Sequence, residues 1–111
     1  MLRINEVAEE RGLDREDVIE FLNDFVDFTE NSDLPGLKEA LARSDPEAVK
    51  EKAHSIKGAA ANLKLDQIAS TARELEFRSK AGNLEHVQEL VDDLEAGLGV
   101  LKQRLKETPP Q

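Results

Sequence analysis

The chain has 111 residues, of which 24 are acidic and 15 basic, giving a net charge of −9 at neutral pH with histidine uncharged. One domain is the default at this length, and roughly two thirds of the unfolded surface can leave water, enough for a core without metal or disulfide staples. The charge argues against nucleic acid or an anionic membrane as partner, since such surfaces need local excesses of lysine and arginine, and the absence of cysteine excludes disulfides, cysteine-ligated zinc and thiol nucleophiles.

With no Trp, no Tyr and four Phe, and with Ala, Leu, Glu and Lys frequent, the composition is that of helices packed by aliphatic side chains. Breakers at Gly12, Asn31-Ser32-Asp33, Ser44-Asp45-Pro46, Leu65-Asp66, Gly82-Asn83 and Thr108-Pro109-Pro110 divide the chain into helical spans, and no sheet is expected. Ile4, Val7 and Ala8 predict a short accessory helix over about residues 4–11. Asp14 can cap a second helix with an apolar stripe of Val18, Phe21, Leu22, Phe25 and Phe28 or Thr29. Ser32 or Asp33 can restart it, with Pro35 in the first turn and Leu34, Leu37 and Leu41 continuing the stripe, as one bent helix or two.

Asp45-Pro46-Glu47 reads as a capped start with proline at the first helical position, followed by Val49, Ala53, Ile56, Ala60 and Leu63 on one face. Asp66 is expected to cap the next helix, with Ile68, Ala72 and Leu75 inward. The last helix carries Leu84, Val87, Val91, Leu94, Leu98, Leu101 and Leu105 at alternating spacings of three and four. Gly97 and Gly99 interrupt it at about 1 kcal/mol each relative to alanine, so either a partner helix approaches closely there or the end frays. Together these spans predict an all-α, antiparallel four-helix bundle with a short N-terminal accessory helix, a single domain over residues 1–107 and a disordered tail over 108–111.

The chemistry lies in Ala53-His54-Ser55-Ile56-Lys57-Gly58-Ala59-Ala60-Ala61. If Val49, Ala53, Ile56, Ala60 and Leu63 face inward, the 100° helical step turns His54 roughly 140° from the core, with Lys50, Lys57, Gly58 and Ala61 on the same outer side. Exposed helix positions usually carry long charged residues, and glycine there costs about 1 kcal/mol, so Gly58 one turn after the histidine points to close approach by another backbone. Lys50, Gly58 and Ala61 then form a docking surface. A neutral imidazole is nucleophilic near pH 7 and can take a phosphoryl group on a ring nitrogen, with the Lys57 ammonium beside its oxygens.

These residues, His54-Ser55-Ile56-Lys57-Gly58, resemble the H-x-x-K-G motif of histidine-containing phosphotransfer (HPt) domains. The resemblance extends upstream through Ala40 to Val49 and downstream through Leu75-Glu76, Arg78 and Ala81-Gly82-Asn83-Leu84, covering roughly residues 18–105. It implies that His54 accepts phosphate from an aspartyl-phosphate of a receiver domain and passes it to another receiver, that Lys57 stabilises the phosphate, and that Gly58 gives clearance. It also implies that magnesium belongs to the receiver and that the carrier needs no cofactor of its own. The family commonly has glycine ten residues after the histidine, where this chain has Lys64, so the helix end there is expected to differ.

The expectation is a phosphocarrier of a two-component phosphorelay, not an enzyme by itself, since no nucleotide-binding glycine loop is present. Its partners would be the receiver domains of response regulators and hybrid histidine kinases. The longest apolar stretches are a few residues and Met1-Leu2-Arg3-Ile4 opens no signal-peptide core, so a soluble, cytoplasmic monomer is expected. Two alternatives remain: the phosphoacceptor domain of a chemotaxis-type histidine kinase, which full gene length would distinguish, and a helical adaptor or oligomerisation module using the Leu84–Leu105 seam. His86, without lysine and glycine companions, reads as a surface residue, and no histidine–carboxylate spacing suggests a metal site.

Overall fold

Helical periodicity accounts for nearly every element of the computed structural model, which describes residues 2–108. Helices α1 (Ile4–Arg11), α2 (Arg15–Phe28), α3 (Leu34–Ala42), α4 (Pro46–Asn62), α5 (Asp66–Lys80) and α6 (Val87–Glu107) follow in order, and the described residues form no strand. The expected start signals act at two helices. Asp14 stands at the N-cap of α2, its backbone N–H donating to the Asp17 carboxylate at 3.4 Å, and Asp45 accepts from the Ala48 N–H at 3.2 Å at the start of α4.

The Asn31-Ser32-Asp33 breaker does not break the chain. A π-helical turn, Thr29–Asp33, carries α2 into α3 as one continuous rod, with the Leu34 N–H bonded to the Thr29 carbonyl five residues back. The sequence contains the reason. Buried positions run 18, 22, 25, 26 and 29, followed by Asp33 and Leu34 together; the apolar stripe thus resumes at Leu34, five residues after Thr29, and continues at Leu37. An ordinary helix would turn that second stripe about 100° out of phase, and one extra residue per turn restores it. Pro35, which lacks a donor and crowds the carbonyl four residues earlier, favours the widening at this place.

The rods close a ring of contacts: α4 lies along α5, α5 along α6, α6 meets α2 and α3, and α3 returns to α4, while α1 packs on α2. Leu22, Leu37, Ile56, Leu75 and Leu94 are the largest fully buried side chains, one from each of α2 to α6. Each such residue contributes roughly 1.5–3 kcal/mol by leaving water. Val87, Val91, Leu94, Leu98 and Leu101 are all buried within the chain, so the α6 seam is occupied by the fold itself.

Several expectations need correction. Phe21 and Phe28 are 45% and 58% exposed and lie outside the core, because residues 18, 22, 25 and 29 already fill the inward face of α2. Asp66 is the first residue of α5 rather than its cap, and its carboxylate is taken by Arg3. Leu84 precedes α6, because the Asn83 side chain accepts from the Glu85 N–H and forms a turn that runs to His86 at φ 63°. Of the two glycines in α6, only Gly97 reflects close approach: a methyl group there would stand 3.2 Å from Ile68 Cγ1, whereas Gly99 has open space. In the tail, the Thr108 hydroxyl donates to the Arg104 carbonyl at 2.7 Å; residues 109–111 lie outside the described residues.

Helix α4 ends in a Schellman motif, with the Leu65 N–H on the Ala60 carbonyl at 2.9 Å and the Lys64 N–H on the Ala61 carbonyl at 3.1 Å. That geometry puts Lys64 in the left-handed region at φ 57°, a strained place for a residue with a Cβ. Its ammonium meets Glu10 of α1 at 3.2 Å, an exposed ion pair worth little. Lys64→Gly should therefore raise stability by about 1 kcal/mol, a rise of several degrees in Tm read by thermal unfolding. A lower Tm would show that the lysine contact outweighs the backbone strain.

Candidate functional site

Helix α4 turns Val49, Ala53, Ile56 and Ala60 into the core, and this fixes what its other side presents. The His54 side chain is 67% exposed, as the wheel predicts. Gly58 and Ala61 lie within about 40° of it around the helix, both exposed. A Cβ at Gly58 would meet nothing within 4 Å, so no internal packing demands glycine there. Lys50 is one turn before His54, but its ammonium is held by Glu47 at 3.1 Å along its own helix and does not join the histidine.

What joins the histidine comes from α5. Glu76 reaches across so that Oε2 lies 2.8 Å from His54 Nδ1 and Oε1 lies 2.7 Å from Lys57 Nζ. One carboxylate thus bridges both residues of the motif. The Lys57 hydrogen bond, joined by that of His54 and opposed by burial, holds the Glu76 carboxyl below the ordinary glutamate range. Glu76 is then ionised at neutral pH and can only accept, so Nδ1 carries a proton, and in the neutral ring the lone pair is on Nε2. Sequence reasoning gave Glu76 no role in the site. It follows Leu75 on the shoulder of the inward face of α5, and only the 22-residue interval from His54 across an α4–α5 hairpin could have marked it.

On the other side of His54, toward α2, runs an open groove of about 440 Å³ lined by Phe21, Phe28, Leu13 and Leu63 with Ser55 and Ala59 of α4. The two exposed phenylalanines therefore stand beside the histidine-bearing helix and give it an apolar flank. Lys50, Gly58 and Ala61 do not line that groove.

Because the folded-state pKa of Glu76 is depressed, its bridge contributes stability above the ordinary glutamate pKa and loses it as pH falls through the lowered value. Lys57→Met should move the Glu76 titration, followed by carboxyl carbon-13 NMR, upward toward the ordinary range. An unmoved titration would show that the ammonium is not what holds the carboxylate.

Comparisons with known proteins bear on the family and the fold. A family model described as Hpt domain matches residues 20–107. The crystal structure of histidine-containing phosphotransfer protein B from Pseudomonas aeruginosa PAO1 is similar with a TM-score of 0.82 and 25% identity, covering 97% of this chain and 96% of that one. A comparison with curated protein sequences gave no match. With an exposed histidine, a lysine three residues on and a matching model over most of its length, the chain belongs to the Hpt domain family.

Proposed function

We propose that the chain carries phosphate in a two-component phosphorelay, accepting a phosphoryl group on His54 from a receiver-domain aspartate and passing it to another receiver. The observation that carries the reading is the Glu76 bridge, which presents an exposed imidazole with its proton on Nδ1. In the transfer, the Nε2 lone pair attacks phosphorus, the bond to the aspartyl oxygen breaks, and the receiver's carboxylate leaves with that electron pair. The ring gains positive charge as the N–P bond forms, and the Nδ1–H stays donated to Glu76, which offsets that charge. Lys57, 31% exposed and already beside the site, is placed to turn toward the incoming oxygens. Return of the phosphoryl group to a second aspartate reverses these steps.

The carrier is not an enzyme by itself in this account, and magnesium is held by the receiver. We read the ring of helices as an antiparallel four-helix bundle with α1 as accessory, a single domain over residues 1–107 that acts as a cytoplasmic monomer. No helix of the described residues is long and apolar enough to cross a membrane. The receiver docks over Gly58 and Ala61, with Lys50 at the edge, and the Phe21–Phe28 groove extends that surface with apolar area that a receiver helix can cover.

Incubation with a phosphorylated receiver and magnesium should add one acid-labile phosphoryl group to the intact mass, and His54→Gln should abolish it with Tm nearly unchanged, because the side chain is exposed. Gly58→Leu, which the open space admits, should keep the fold and favour the helix while cutting transfer by an order of magnitude or more. Labelling that persists in His54→Gln, or full transfer by Gly58→Leu, would overturn these assignments.

A further inference from the structure

Asp33 is the last residue of the π turn, and it is only 4% exposed. Its Oδ2 accepts from the Ser55 hydroxyl at 3.1 Å, and its Oδ1 lies 4.0 Å from Lys52 Nζ. The lysine stem reaches it by crossing α3 at Gly36, where a Cβ would stand 2.9 Å from Lys52 Cε. A buried carboxylate, a hydroxyl, an ammonium and a glycine that clears the path are thus drawn from the π turn, α3 and α4 to one point.

Burial pushes the Asp33 carboxyl up, against the Ser55 hydrogen bond and the Lys52 charge, which only partly offset it. The other charged groups of the adjoining groove are Arg11 of α1 and Asp24 of α2. A carboxyl whose pKa rises on folding makes the fold less stable as pH climbs through its titration, so keeping Asp33 ionised costs stability.

Ser55 follows His54 by one residue, or about 100° around α4. Core packing sets the rotation of α4; the tie from Ser55 to the α2–α3 rod adds a polar restraint on that rotation next to His54, while Glu76 holds the imidazole from the α5 side. We propose that Asp33 is a positioning residue for the phosphoacceptor, holding through Ser55 the packed angle at which His54 stands beside the receiver-docking groove. The proposal rests on the phosphocarrier reading and deepens it.

The test compares Asp33→Leu, Asp33→Asn and Ser55→Ala with the wild-type chain and His54→Gln, reading receiver-to-carrier transfer rates and thermal unfolding at pH 8. Asp33→Leu should melt at or above the wild-type temperature yet transfer about fivefold or more slowly, since small misplacements of a reacting group are costly. Asp33→Asn, whose amide oxygen still accepts from Ser55, should keep most of the rate, and Ser55→Ala should slow transfer as Asp33→Leu does. Ser55→Ala also keeps the test open should Asp33→Leu fail to fold. Wild-type rates in both Asp33→Leu and Ser55→Ala would overturn the inference while leaving His54 as the acceptor. Equal slowing of Asp33→Leu and Asp33→Asn in step with lost Tm would make Asp33 merely structural. No labelling of the wild-type chain by any receiver would remove this inference together with the reading beneath it.

Discussion

The site depends on one carboxylate. Glu76 binds His54 Nδ1 with one oxygen and Lys57 Nζ with the other, and this shared anion does three things at once. It holds the ring proton on Nδ1, so that in the neutral ring Nε2 is the free nitrogen. It restrains a side chain that exposure would otherwise leave free to sample several rotamers. It also holds the ammonium beside the ring without neutralising the site permanently, because an incoming phosphoryl group can compete for the same cation.

That carboxylate works only if α4 and α5 keep their azimuths. Those are set by packing: Ile56 and Leu75 are fully buried between the helices, and Gly97 lets α6 approach Ile68 of α5 closely. On the opposite flank, the π turn rephases the α2–α3 stripe so that Leu34 and Leu37 stay in the core while Asp33 meets Ser55. Phe21 and Phe28 are left outward beside the same helix, where apolar surface can be covered by a partner.

His54, Lys57 and Gly58 were legible in the sequence because their oddity is local: an imidazole and a glycine on a helix face that the aliphatic period turns to water. The helical spans and the Asp45 cap followed from the same local periods, with α2 and α3 left open as one bent helix or two. Glu76 was not legible, because one acid among 24 gains meaning only from the rotation of α5 against α4. The π turn was hidden for a related reason, since Asn-Ser-Asp reads as a break until the five-residue step from Thr29 to Leu34 is placed on a buried face. Phe21 was assigned inward by hydrophobicity alone, and of the alternatives Phe28 and Thr29 it is Thr29 that is buried. Lys64 stood where the family commonly has glycine, and the positive φ of the Schellman turn gives that preference its physical basis.

The central claim is that the Glu76 bridge directs chemistry to one ring nitrogen. Nitrogen-15 NMR of the phosphorylated chain, labelled in histidine, reads this directly by distinguishing the two possible phosphohistidine isomers. The account predicts phosphate on Nε2 of His54, with the Nδ1 proton retained toward Glu76. Phosphate on Nδ1 would require that hydrogen bond to break before transfer, and would contradict the mechanism.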